Sequence, residues 1–470
     1  MEELRIAFLG FGSANRALVR MLLEKSEPSP PPEDDPDRCA RRVLRIPIAA
    51  GPSAGGDGAA AAARTVPWRI VCIVTRRHGR ACVPLDDGAT DAGGRCEVDA
   101  EAALRRVESG RILDGSVVVV DYRHRRRGGA IGVGVDAADR EGAIVVADDA
   151  RTTDADDDET LRLIDLLGRR RPNAIPGRPT IANIVVEAIP SDPRRDGEPA
   201  SSFIARALMS GMHVCSANKG PLAHRRDDGE ETYWKLQRLA RECNATYQHE
   251  SSVMDGVPVF SLWKYALPRA RLLSIRGCLN GTTTMILSRM EGDREGGSGD
   301  GEQFHEALLA ARRMGIVETD ESLDIDGYDA AAKLRALLVV LSGPRGPTCD
   351  ATTRTIVPTM DEIPRDSIRD VTREDIRRAY ADGRRKYRLV ASARLVDVPS
   401  SIRPRWEASV RLKLLPPSDP LYNLTGTDSS VQFCTDVLGP VTVVSSNPTL
   451  VDTAYGLFSD IVRVASESSN

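Results

Sequence analysis

The first 25 residues constrain the fold of this chain more than any other stretch. Residues 4–9 (LRIAFL) are a short run, apolar but for Arg5, and Gly10-Phe11-Gly12-Ser13-Ala14-Asn15 follows at once. Apolar residues then recur at 14, 17, 18, 21 and 22, the spacing of a helix with one buried face. Buried strand, glycine turn and helix open a βαβ unit. In such a unit, glycines let the backbone approach a pyrophosphate, and the helix start offers free N–H groups. The third glycine of the usual fingerprint is absent, because Asn15 stands there.

The pattern continues. Residues 68–75, 117–121, 144–147, 181–188 and 213–216 read as strands, with a helix over 199–210. This alternation to about residue 220 predicts a doubly wound parallel sheet. Residues 26–66, rich in Pro, Gly and Ala, and the Arg- and Gly-rich stretch 122–134 read as surface insertions. Beyond 222 the texture changes. Strands over 246–253 and 272–279 are expected in a second sheet, with helices over 281–290, 302–314 and 329–341. Alternating stretches follow at 387–396 and 406–415, and a last helix at 449–464. The expected domains are 1–222 for nucleotide binding, 223–440 for substrate binding and dimerisation, and 441–470 as a helix returning to the first domain.

Composition excludes several classes. A net charge of −4 with 28% charged residues rules out a strongly basic nucleic-acid binder. No apolar run reaches the ~18 residues of a membrane helix. The nine cysteines contain no C-x-x-C pair, so neither a disulfide framework nor a zinc site is expected, and a reducing cytoplasmic compartment is. Only seven of the 64 basic residues are lysine, so a lysine within a motif is more informative than an arginine.

Two lysines stand in such motifs. Ser216-Ala217-Asn218-Lys219 follows a strand of the parallel sheet, where ligands bind. Asp329 and Lys333 are spaced i, i+4 on an otherwise apolar helix, so their ion pair is expected to be at least partly buried. Burial lowers a lysine pKa and a neighbouring carboxylate raises it, which marks Lys333 as an acid–base candidate. An acidic run, Glu318, Asp320, Asp324 and Asp326, precedes this pair. Asn280-Gly281-Thr282-Thr283-Thr284 offers amide and hydroxyl donors at a helix start. The second strand ends in Thr75-Arg76-Arg77, with no acid for ribose hydroxyls and two arginines suited to a 2′-phosphate.

Together these segments resemble homoserine dehydrogenases. VVEAIPSD, ALMSGMHVCSANKGPLA, HESSVMDGVPVFSL, RGCLNGTTTMIL and GIVETDESLDIDGYDAAAKL occur as an ordered series. The likeness is good over 4–25 and 181–342, and loose over 387–470. It implies a Rossmann-type sheet plus an α+β substrate and dimerisation domain. It also implies NADP- or NAD-dependent interconversion of L-homoserine and L-aspartate 4-semialdehyde by a single-function homodimer without a regulatory extension. Lys333 would be the acid–base lysine and Lys219 would lie by the nicotinamide and the substrate oxygen. Glu318 and Asp329, with Asp324 and Thr283, would hold the amino-acid substrate. Gly10, Gly12, Ser13, Ala14, Asn15, Arg76, Arg77, Ala217, Asn218, Lys219 and Gly315 would face the cofactor. A sodium ion, bound largely through main-chain carbonyls, would lie at Glu250, Val253, Asp255 and Val257.

The chain departs from the family at several points. Met254-Asp255 replace small residues, Ile316 replaces an aromatic, and Ser445-Ser446-Asn447-Pro448-Thr449 replaces a glycine-rich turn. Two alternatives stay open: a related oxidoreductase for another small hydroxy or oxo acid, and a binding protein without turnover.

Overall fold

The computed structural model describes residues 3–10, 12–29, 41–47, 63–74, 80–82, 95–98, 100–109, 118–121, 154–168, 182–189, 195–292, 301–317, 320–343, 355–396 and 403–467. The strands are β1 (Leu4–Leu9), β2 (Glu27–Ser29), β3 (Arg41–Pro47), β4 (Ala63–Val74), β5 (Arg80–Cys82), β6 (Arg95–Val98), β7 (Val118–Asp121), β8 (Ile184–Glu187), β9 (His213–Ser216) and β10 (Tyr247–Gln248), followed by β11 (Leu272–Cys278), β12 (Lys386–Val396), β13 (Arg405–Leu415), β14 (Ser429–Thr435) and β15 (Val441–Ser445).

The first sheet runs β10-β9-β8-β1-β4-β3-β2, with β5 also pairing to β4. Its core, from β10 to β4, is parallel. All six residues of β1 are buried, as expected for a central parallel strand covered on both faces. The second sheet, β13-β12-β11-β14-β15, is antiparallel throughout. The architecture is thus the expected one: a doubly wound α/β sheet joined to an α+β unit.

Four expectations need correction. Part of the 26–66 insertion is ordered: β2, β3 and the start of β4 form an antiparallel extension of the first sheet. Leu44, Ile46 and Val66 are buried there, so alternating apolar residues in its middle and at its end outweigh the Pro- and Gly-rich stretches between them. The strand near 118 pairs antiparallel with β6 in a separate ribbon instead of joining the parallel sheet. Residues 247–248 belong to the first sheet, since β10 adds beside β9, so that sheet does not end at residue 222. Cys72, buried on β4, is disulfide-bonded, where no disulfide framework was expected. The strand expected at 144–147 and the loop at 122–134 lie outside the described residues.

The helix Leu450–Glu467 returns to the first sheet. Its Ala454, Leu457, Ile461 and Val464 share one core with Leu4, Ile6 and Phe8 of β1 and with Leu18 and Leu22 of the helix Ser13–Lys25. The helix Tyr328–Leu341, apolar on nearly all sides, is buried in the core that both sheets share. These two packings bring the ends of β1, β8 and β9 and the acidic segment near 324 to opposite walls of one crevice.

Candidate active site

The crevice is a cavity of about 1030 Å³. Ala14, Ile189, Asn218 and Lys219 line it from the first sheet, Asn280, Thr282, Asp324, Asp329 and Lys333 from the second unit, and Thr449 and Leu450 from the C-terminal turn. It opens at the carboxyl ends of the parallel strands, where doubly wound sheets bind ligands.

Asp329 is its centre. The carboxylate is only 4% exposed. Lys219 Nζ lies 2.8 Å from Oδ1 and Lys333 Nζ 2.9 Å from Oδ2, so one buried acid joins lysines 114 residues apart in sequence. Burial by itself would push the Asp329 pKa up. Lys219 and Lys333 outweigh that cost and hold it well below the ordinary carboxylate value. Burial likewise works to lower the Lys333 pKa, but Asp329 wins and the value is raised, so Lys333 is an ammonium at neutral pH. Lys333 also donates to the Leu279 carbonyl at 3.0 Å.

Asn280 completes the cluster. Its Oδ1 accepts the Thr283 N–H at 2.8 Å and caps the helix Gly281–Glu291. With Oδ1 so occupied, the amide nitrogen faces the acids, donating to Asp324 Oδ1 at 2.7 Å and Asp329 Oδ2 at 2.9 Å. Among the described residues the cavity is lined by four carboxylates (Asp255, Asp320, Asp324, Asp329) and two lysines, an imbalance that suits a ligand bearing a cation.

The glycine turn sits on the opposite wall. Gly10 has φ +81, and a Cβ there would lie 2.7 Å from the Ala188 carbonyl oxygen, so the turn needs glycine. A Cβ on Gly12 would meet nothing within 4 Å, which leaves open space beside the uncapped start of the helix Ser13–Lys25. Ser13 is exposed there and Ala14 lines the cavity. That helix carries no acid in its first turn, so its free N–H groups and positive end suit a phosphate.

Two proposed contact residues are placed differently from expectation. Asn15 is fully buried, and its amide donates to the Gly10 carbonyl at 2.5 Å. It braces the turn from behind instead of facing a ligand, which is how the turn forms without its third glycine. Thr283 is buried with its hydroxyl on the Asn280 carbonyl, while its neighbour Thr282 lines the cavity. One helix position moves a side chain by about 100°, and spacing alone did not settle which threonine faces in.

Ala217, Asn218 and Gly315, expected to face the cofactor, line the cavity, with Ile316 beside them. Pro448 and Thr449 line it too, so the altered C-terminal turn still reaches the crevice without glycines. Asn447 supplies the left-handed residue there, with φ 48. Arg76, Arg77 and Glu318 lie outside the described residues.

In the loop 250–257, the Glu250 carboxylate is already engaged. It accepts the N–H groups of Phe260 and Ser261 and lies 3.6 Å from Arg463. Val253 is buried, the Val257 carbonyl accepts the Val259 N–H, and Asp255 faces the cavity. Met254, Asp255 and Gly256 all have positive φ, which explains why small residues or glycine suit this loop.

Glu187, at the end of β8, was not anticipated as part of the site. It is fully buried, and burial raises its pKa. Ile189 N–H, at 2.9 Å, and Ser216 Oγ, at 2.5 Å, donate to it, and so does the Asn218 amide. It therefore ties the loop that carries Lys219 to the neighbouring strand. An acid ending the apolar run IVVE was the one sequence signal for it.

Residues 258–462 match the family profile for homoserine dehydrogenase. An NAD(+)-dependent homoserine dehydrogenase of Pseudomonas canavaninivorans is 34% identical over 283 residues, 60% of this chain and 71% of that protein. A homoserine dehydrogenase of Methanocaldococcus jannaschii is 31% identical over 283 residues, covering 60% of this chain and 73% of that protein. In fold, the chain resembles a hyperthermophilic archaeal homoserine dehydrogenase solved with NADPH. The TM-score is 0.59 at 21% identity, over 99% of this chain and 98% of that one. A putative homoserine dehydrogenase of Archaeoglobus fulgidus aligns with TM-score 0.58 at 19% identity, over 98% of this chain and 99% of that one. With relatives above 30% identity matched over more than two thirds of their length, and with the two-domain fold in common, this chain belongs to the homoserine dehydrogenase family.

Proposed function

We propose that this chain interconverts L-homoserine and L-aspartate 4-semialdehyde with a nicotinamide dinucleotide. The observation that carries the reading is the buried Asp329 bridging Lys219 and Lys333 at the floor of the crevice. The cofactor, held by the Gly10–Gly12 turn and the start of the helix Ser13–Lys25, would supply or accept the hydride. The open space beside Gly12 fits its pyrophosphate. Arg76 and Arg77 make NADP the proposed form, with NAD as the alternative.

The remaining steps fall to the chain itself. Asp324 and Asp329, with Glu318, bind the substrate ammonium. Lys219 positions the reacting oxygen, and Lys333 moves the proton at that oxygen. In the reducing direction the Lys333 ammonium donates to the aldehyde oxygen as the C–H bond forms. In the oxidising direction neutral Lys333 accepts the hydroxyl proton. Asp329 keeps both lysines in place and favours their charged forms. Two lysines on one buried acid serve no evident purpose in a protein that only binds.

For the loop 250–257 we propose a sodium ion held by main-chain oxygens of Glu250, Val253, Asp255 and Val257. The Glu250 carboxylate is already bonded and fits the ion poorly, whereas the Val257 carbonyl, with one N–H partner, keeps a second lone pair. Replacing sodium by choline should lower the melting temperature, and an unchanged value would remove the ion. We further propose a homodimer through the second sheet.

The deciding experiment follows the absorbance of the reduced nicotinamide with purified protein, L-homoserine, and NADP or NAD in turn. Homoserine-dependent growth of that signal supports the reading. A folded protein that prefers another small alcohol would overturn it and direct attention to Ile316 and Thr449.

A further inference from the structure

Arg335 is, with Arg388, the largest fully buried side chain among the described residues, 1% exposed, on a helix that is otherwise Ala, Leu and Val beyond Lys333. The function proposed above gives it no role. Its Nη2 donates to both oxygens of Glu231, at 2.8 and 3.0 Å. Its Nη1 donates to the Ala223 carbonyl at 2.7 Å and its Nε to the Pro358 carbonyl at 2.8 Å. Glu231 is 3% exposed and accepts a further bond from Arg225 Nε at 2.9 Å. Arg225 in turn reaches the Val357 carbonyl. Three segments, 219–231, 328–341 and 357–358, are thus fastened at one buried point.

Replacing such a pair by apolar groups is often neutral or stabilising. Stability alone is therefore a weak reason for it, and its location supplies a better one. Arg335 lies six residues beyond Asp329, about 9 Å along the same helix. Ala223 lies four residues beyond Lys219, at the end of the short turn Gly220–Ala223. The two segments run side by side and meet twice, at Lys219–Asp329 and at Ala223–Arg335. The second contact fixes the register of the first.

We propose that Arg335, with Glu231, is a positioning residue that clamps the segment after Lys219 against the helix bearing Asp329 and Lys333, and so holds Lys219 on Asp329. It touches neither substrate nor cofactor. The inference rests on the function proposed above for the role of Lys219 in turnover, but the clamp itself can be read without turnover.

The test uses the full chain carrying Arg335→Met. Glu231 keeps Arg225 as a partner in that variant, so no acid is left buried without a cation. Turnover of homoserine should fall about 10- to 100-fold, the scale of a misplaced reacting group, while NADP affinity changes less than about twofold. Arg335→Lys should recover part of the loss. In a Lys219→Ala background, Arg335→Met should add less than about twofold, because both changes act through one contact. Independently of turnover, amine acylation read by mass spectrometry should label Lys219 faster in Arg335→Met than in the unaltered chain. A folded Arg335→Met with normal turnover and unchanged Lys219 labelling would overturn the clamp, as would losses that multiply in the double variant. If the unaltered chain does not turn over homoserine, the proposed function fails and the labelling alone decides the clamp. Should Arg335→Met not fold, Glu231→Gln takes its place in the same measurements.

Discussion

Asp329 shows how one residue can set the charge state of a site. Because Lys333 has a raised pKa, its ammonium is the resting form. Semialdehyde reduction should hold steady through neutral pH and fall only in the alkaline range, as the acid is lost. Homoserine oxidation needs the neutral amine and should rise with pH over the same range. Opposite pH profiles in the two directions check this, and parallel profiles would remove Lys333 as the proton carrier. Lys333→Ala should lower turnover at least ~100-fold, the usual scale for a proton-transfer group. The depressed Asp329 pKa has a consequence for stability. Its contribution is present above the ordinary carboxylate value and is lost as pH falls through the lower folded value. Denaturation midpoints measured from neutral to acid pH should therefore drop less steeply for Asp329→Asn than for the unaltered chain.

At the scale of elements, two junctions hold the site together, one a close backbone approach and one a side chain. The helix Leu450–Glu467 lies against the loop 250–257, with Gly456 facing Gly256. A Cβ on Gly456 would lie 2.3 Å from Ser251 Oγ and 2.6 Å from the Gly256 Cα. Gly456→Ala should cost roughly 1–3 kcal/mol through overpacking. A melting temperature within error of the unaltered chain would show that the loop yields. Asn280 is a second junction, both helix cap and bridge between two acids. Asn280→Ala should cost about 1–2 kcal/mol for the cap. It should also weaken homoserine binding, which a titration can check, because Asp324 and Asp329 lose the donor that sets their separation. The i, i+4 pairing of Asp329 and Lys333 was legible in the sequence, because helix periodicity alone produces it. The Asn280 bridge was not, because it joins residues 44 and 49 positions apart, across two helices.

At the scale of the molecule, the crevice exists because one chain builds both walls and then returns. The last helix completes the first core, and the turn before it supplies Pro448 and Thr449 to the cavity. A homodimer through the second sheet should give a solution mass of about twice 51.0 kDa, readable by light scattering on a size-exclusion column. A mass equal to one chain would exclude it at the concentration used.

The sequence by itself determined the glycine turn after a buried strand, the parallel strands β1, β4, β8 and β9, the Asp329–Lys333 pair and the ordered segments shared with the family. Each is a local pattern, set by periodicity, by the conformational demands of glycine or by short spacing. Only the tertiary structure decided that Lys219 meets Asp329, that Thr282 rather than Thr283 faces the cavity, that the Asn15 side chain, expected to face the cofactor, bonds back to the turn, and that β2 and β3 extend the sheet from an otherwise low-complexity insertion. These depend on which surfaces pack together and which polar groups must find partners once buried. No run of neighbouring residues carries that information, because the partners that satisfy them lie on other elements.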